Sequence, residues 1–163
     1  MIQKLVKVSL AAFIVAAIDY FSKVKLLEFM LEKHGFYEIL PNFNLVSVWN
    51  YGVSFGMFQL SSGWGPYFLS ALSLILVVVL FIWVIRSSSC FIQVNIALII
   101  GGAIGNVMDR FKYGAVADFF DFHIYGYHWP AFNVADIAIS CGACLIILNQ
   151  LFFNTILASK DDS

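Results

Sequence analysis

Twenty consecutive residues, 66–85 (PYFLSALSLILVVVLFIWVI), carry no charge. Hydrocarbon offers no partner for backbone N–H and C=O groups, so a chain crossing a bilayer core of roughly 30 Å must be a helix of about 20 residues or part of a closed barrel. Three further stretches are of the same kind, at about 5–21, 90–108 and 132–157. The expectation is therefore four transmembrane helices. Composition agrees: 61% of the 163 residues are hydrophobic and only 12% charged, against about 25% charged in an ordinary soluble domain. Disorder is excluded because it requires low hydrophobicity. A nucleic-acid-binding surface is excluded because nine Lys+Arg against ten Asp+Glu leave no basic excess. Cys90, Cys141 and Cys144 are too few, and too apolar in context, for a disulfide scaffold. The length fits a single integral membrane domain, 1–163.

Lys4 and Lys7 precede the first apolar run as they would in a signal peptide, but the run continues into Asp19 and Lys23 with no small-x-small cleavage site. It reads as a retained helix. Four helices place both termini and the Arg86-Ser-Ser-Ser turn on one side, and the longer loops, about 22–65 and 109–131, on the other. Lys4, Lys7, Arg86 and Lys160 against Lys23, Lys25, Lys33, Arg110 and Lys112 give an indecisive charge count. The first helix usually dominates orientation, and its leading lysines favour cytoplasmic termini. Residues 22–33 put Val24, Leu27 and Leu31 on one helical face, as in a helix lying in the interface. Residues 36–60 change period: aromatic and β-branched residues are broken by Pro41-Asn42, Gly52 and Gly56, which predicts short strands forming a platform. The expected fold class is thus membrane all-α with a small β element.

A carboxylate at membrane depth is costly unless protonated or partnered, which makes intramembrane acids functional candidates. Asp19, Asp109, Asp118, Asp121 and Asp136 all fall at the face carrying the long loops. Two carboxyls close enough to share a proton can hydrolyse a peptide: one draws a proton from water while the other polarises the scissile carbonyl. Asp109 beside Arg110 reads as a salt-bridged helix end, and Asp19 with Lys23 as an i, i+4 pair. Spacing alone does not choose the pair, but Asp118 and Asp136 have no adjacent base and, one on a loop and one on a helix, could meet from different directions as a catalytic dyad must.

Plainer readings suffice for the rest. Gly101-x-x-x-Gly105 signals close helix packing. Cys141-x-x-Cys144 lies mid-helix with no preceding strand, so its redox spacing carries no weight. His123 and His128 with Asp118 and Asp121 have zinc-ligand chemistry but no helical HExxH pair, so no metal is expected. Ser54 has no lysine within a few residues to activate it.

Five segments taken together resemble bacterial lipoprotein signal peptidase, the type II signal peptidase. They are Asp19-x-x-x-Lys23, Asn50-Tyr-Gly52-Val-Ser-Phe55-Gly56, Gly101-Gly-Ala-Ile-Gly105-Asn106-Val-Met-Asp109-Arg110, Val116-Ala-Asp118-Phe119, and Trp129-Pro-Ala-Phe132-Asn133-Val-Ala135-Asp136. Ser54 stands where the family usually has Ala, and Ile137 where a small polar residue is common. The resemblance implies a four-helix intramembrane aspartic peptidase that cuts a prolipoprotein before a diacylglyceryl-modified cysteine, with Asp118 and Asp136 as the catalytic pair. Asp19, Lys23, Asn50, Gly52, Phe55, Gly105, Asn106, Asp109, Arg110, Asn133 and Ala135 fall on positions that bind substrate or support the site. It implies no metal or organic cofactor, a lipid-embedded substrate, the bacterial cytoplasmic (inner) membrane as location and an active site at its outer face. A monomer is the simplest expectation. Two other functions compete. A proton-coupled transporter would use the acids as a relay, but they cluster at one face and inverted repeats are absent. A non-catalytic assembly factor would use the Gly-x-x-x-Gly surface.

Overall fold

The computed structural model describes residues 1–52 and 64–161, with side chains described through residue 152. Phe55, Ser54 and Gly56 of the first-loop motif lie outside the described residues. The elements in chain order are α1 (Ile2–Glu32), β1 (Phe36–Leu40), β2 (Phe43–Asn50), α2 (Gly65–Arg86), α3 (Cys90–Tyr113), β3 (Val116–Ile124), β4 (Tyr127–His128) and α4 (Val134–Asp161). All four helices are long and apolar enough to cross a membrane.

α3 is the hub, with α1, α2 and α4 packed around it. Its small residues explain how. A Cβ at Gly101 would lie 2.6 Å from the Ala12 carbonyl oxygen of α1, one at Gly105 would run into Asp19, and one at Gly102 into the Ala135 carbonyl of α4. The Gly-x-x-x-Gly spacing thus seats α1, and the extra glycine seats α4. Behind these contacts Val8, Leu80, Val84, Ile96, Ile100 and Ile146 fill the core. Phe13, Leu72, Ile75 and Phe91 point outward and exposed, as helix faces meeting lipid tails do. Lys4 Nζ donates to the Ser87 carbonyl at 2.8 Å, so the start of α1 lies at the same end as the α2–α3 turn.

The segment 22–33 is not a separate interfacial helix. It continues α1 without a break, and 31 residues make a rod of roughly 46 Å at 1.5 Å per residue, well beyond a bilayer core. Its last turns stand clear and cover the sheet. Leu26, Leu27 and Met30 pack against Leu45, Ala117 and Phe119, whereas Leu31 is exposed. Of the stripe read from the sequence, Leu27 covers the sheet and Leu31 does not.

The second long loop is also more regular than its composition suggests. α3 continues to Tyr113 and stops at Gly114, whose φ of +73° is the left-handed conformation that ends helices. β3 then enters the sheet, whose antiparallel order is β1-β2-β3-β4. β3 and β4 join through Tyr125 and Gly126, both at positive φ (51° and 81°), the two-residue turn that matches strand twist. Residues of β3 are buried on both faces from Val116 to Phe119, between the α1 extension and the helix bundle. That two-sided burial erases the alternation by which a strand is usually read.

Candidate active site

Asp118 sits mid-strand on β3, opposite Val48 of β2. A bulge between Leu45 and Val48 shifts the register, and Asn50, at the end of β2, shares its face with Asp118. Asn50 Nδ2 donates to Asp118 Oδ2 at 3.2 Å, and Asn133 Nδ2 to Asp118 Oδ1 at 2.7 Å. Asp136 occupies the first turn of α4. Asn133 Oδ1 accepts from the Asp136 N–H at 3.0 Å, while Asp136 Oδ2 accepts from the Asn133 N–H at 3.2 Å. This reciprocal pair is a capping box built from Asn and Asp. It fixes the Asp136 carboxylate at a helix N-terminus, where the backbone dipoles favour negative charge.

Asn133 therefore holds one carboxyl with its side chain and the other with its backbone. Asn106 completes the frame on α3, donating from Nδ2 to Asp136 Oδ1 at 2.9 Å. Asp118 is 2% exposed, and its carboxyl is pushed up to about 7, first by burial and then by the Asp136 charge, against the Asn50 and Asn133 hydrogen bonds and the Lys23 charge. Near neutral pH one carboxyl of such a pair keeps its proton and the other does not.

Behind this frame lies a buried ion cluster. Lys23 Nζ is 2.8 Å from Asp19 Oδ2 and 2.9 Å from Asp109 Oδ2, and it donates to Asn106 Oδ1 at 3.1 Å. The i, i+4 pair of Asp19 and Lys23 is as expected. The Asp109–Arg110 ion pair is not: adjacent helical residues do not face one another. Asp109 turns inward to Lys23 and accepts from the Ala117 N–H at 3.1 Å. Arg110 instead donates to the Gly52 and Asn106 carbonyls at 3.3 and 3.4 Å. Gly52 in turn donates its N–H to Asn50 Oδ1 at 3.0 Å. Asp19 Oδ1 accepts from the Ala135 N–H at 2.8 Å, and Gly105 leaves room for that carboxylate.

Four of the five acids thus converge, and Asp121 does not. It occupies the opposite face of β3, where it takes a hydrogen bond from Asn44 at 3.1 Å and meets His128 Nδ1 at 2.8 Å. Among the described residues no group of three or more His, Cys, Asp or Glu is placed to hold a metal ion. Two adjoining cavities, of about 380 and 210 Å³, share Asn50, Asp136 and Ser140. The first is walled by Trp129, Pro130, Phe132 and Ile137, the second by Leu76 of α2, Ile99 and Ala103 of α3, and Ile139 of α4. A separate apolar groove of about 440 Å³ beside α1 holds none of the acids. Sequence reasoning missed Ala117, whose N–H binds Asp109 and whose carbonyl accepts from Asn133 at 3.3 Å. It also missed Ser140 as a cavity wall. Ala117 acts through its backbone, so its side chain gave no signal.

A sequence profile described as signal peptidase (SPase) II matches residues 11–152. The lipoprotein signal peptidase of Alteromonas mediterranea is 40% identical over 145 residues, covering 88% of this chain and 78% of that one. The lipoprotein signal peptidase of Anaplasma phagocytophilum is 37% identical, covering 85% and 87%. Among solved structures, a bacterial membrane enzyme superposes with a TM-score of 0.74 at 32% identity, covering 89% of this chain and 87% of that one.

Proposed function

The chain belongs to the signal peptidase II family, and on that premise we propose that it works as an aspartic endopeptidase with Asp118 and Asp136 as its catalytic pair. Its reaction is removal of the signal peptide from prolipoproteins in the bacterial inner membrane. The cut falls before a cysteine that already carries diacylglycerol. The observation that carries the aspartic reading is Asn133, which binds one carboxyl by its side chain and the other by its backbone.

Asp118, pushed up to about 7, is the member that keeps a proton near neutral pH, and it donates to the oxygen of the scissile carbonyl. Asp136 takes a proton from water as the water oxygen bonds to the carbonyl carbon. Collapse of the tetrahedral intermediate breaks the C–N bond: a hydroxyl of the intermediate returns its proton to Asp118 as the C=O re-forms, the proton held by Asp136 passes to the departing amine of the lipidated cysteine, and the carboxyl product ionises in water. The signal peptide leaves with a new carboxylate. A pair whose environments separate the two protonation states has the acid and the base in place together. The cavities on either side of Asp136 give a lipid-bearing substrate apolar walls to lie against. Delivery from the membrane, and water from the exported side, require this end of the bundle at the outer face and both termini in the cytoplasm.

The test is turnover of a purified, diacylglyceryl-modified prolipoprotein by the native enzyme and by Asp136→Asn. The variant should lose about a thousandfold or more in kcat, and adding Asp118→Asn should cost little further, because members of a catalytic unit are not additive. Substantial turnover by folded Asp136→Asn refutes the dyad.

A further inference from the structure

We infer that Lys23 is a positioning residue for catalysis: its buried ammonium sets the orientation of Asn106 and, through Asp109, the seating of β3, and so aligns both carboxyls. The inference rests on the dyad proposed above and concerns a group that takes no part in the proton transfers.

The ammonium has three protons and three acceptors, on α1 and α3: Asp19 Oδ2 at 2.8 Å, Asp109 Oδ2 at 2.9 Å and Asn106 Oδ1 at 3.1 Å. Lys23 is 3% exposed, so no water competes for those protons. The contact to Asn106 has a directional consequence. A carboxamide has an acceptor end and a donor end, and a cation at Oδ1 forbids the flipped state that would bring two donors together. With Oδ1 held by Lys23, Nδ2 must face away, and it meets Asp136 Oδ1 at 2.9 Å. Asn133 Nδ2 also donates to Oδ1, at 3.3 Å, so removing the cation leaves that end of the amide on one longer, uncharged contact and loosens its hold on Asp136.

The second path runs through Asp109. Its Oδ2 is shared between Lys23 and the Ala117 N–H, and Ala117 directly precedes Asp118. The Ala117 carbonyl also accepts from Asn133. One cation thus restrains the residue beside Asp118 and the side chain that binds Asp136. Its charge reaches the dyad as well. Asp118 is in the field of Asp136 on α4, Lys23 on α1 and Arg110 on α3, and Lys23 favours its ionised form.

Removing Lys23 alone would leave two buried carboxylates beside one another, so the test uses charge-balanced doubles. Lys23→Met with Asp109→Asn, and Lys23→Met with Asp19→Asn, each leave the cluster with its single net negative charge. Each also keeps an oxygen for the Ala117 or Ala135 N–H. Folding is followed by thermal denaturation, and turnover with lipid-modified prolipoprotein across pH. The inference expects kcat to fall about 100-fold in each double that folds, the loss a small misplacement of reacting groups produces, with KM little changed. A folded double with native kcat overturns the inference, as does one whose loss lies in KM alone. Failure of both doubles to fold overturns it too, by making the cluster a folding element. Failure of the dyad itself would show differently, as turnover surviving in Asp136→Asn.

Discussion

Replacing Asp118 by Asn removes a titration that the fold works against, and the sign of its effect on stability follows from the site. The Asp118 carboxyl moves from an ordinary 3.8 to about 7 on folding, chiefly through burial. Between those values the folded protein holds a proton that the unfolded chain has released. Stability is fully present below about 3.8 and is lost as pH rises to about 7. Each pH unit well inside that window is worth about 1.4 kcal/mol and the slope halves at its upper end, so the change from pH 5 to pH 7 is about 2 kcal/mol. For a chain of this size that corresponds to roughly 5–10 °C in Tm. Asn cannot titrate. Its amide also gives Asn50 and Asn133 one acceptor oxygen where the carboxyl gave two, but that loss is the same at every pH and displaces the curve without tilting it. Contributions common to both proteins cancel in the difference. The assay is Tm of the purified enzyme and of Asp118→Asn in one detergent, from pH 5 to pH 8. The native protein should lose stability relative to the variant as pH rises to about 7 and run parallel to it above. Parallel curves throughout would refute the claim that Asp118 is held protonated, and with it the division of acid and base.

Arg110→Lys should lower turnover by about tenfold or more despite keeping the charge, because the guanidinium fork joins the Gly52 and Asn106 carbonyls and a single ammonium is a point charge without that planar geometry; near-native kcat would reduce Arg110 to a generic cation. In a cysteine-free background, Tyr125→Cys at the β3–β4 turn, 96% exposed, should react with an impermeant thiol reagent in cells whose outer barrier admits it. Ser88→Cys in the α2–α3 turn should react only after lysis, and the reverse pattern would reject the orientation proposed here.

The sequence by itself determined the elements whose cause is local. A predominantly apolar run of the right length must be a helix in lipid, and this held for α1, α2, α3 and α4. The Gly-x-x-x-Gly spacing foretold close packing, because a missing Cβ acts the same way wherever the partner lies. That the acids gather at one end followed from helix count alone. That Asp118 and Asp136 lack a neighbouring base was legible, as was the helical spacing of Asp19 with Lys23; that Asn133 binds both carboxyls was not. Tertiary structure decided what depends on partners distant in sequence. The expected stripe of Val24, Leu27 and Leu31 would suit a lipid surface; instead Leu27, with Leu26 and Met30, covers the sheet while Leu31 is exposed, which only the packed structure decides. β3 itself is buried on both sides and shows no alternation to read. Asp109 beside Arg110 looks like a pair in one dimension, but the helix turns the two apart, toward Lys23 and toward Gly52. The orientation of Asn106 has no local cause at all: it is set by Lys23, 83 residues away on another helix, and by Asn133, 27 residues away, because a buried amide must match each end to a partner and only the packed bundle supplies both.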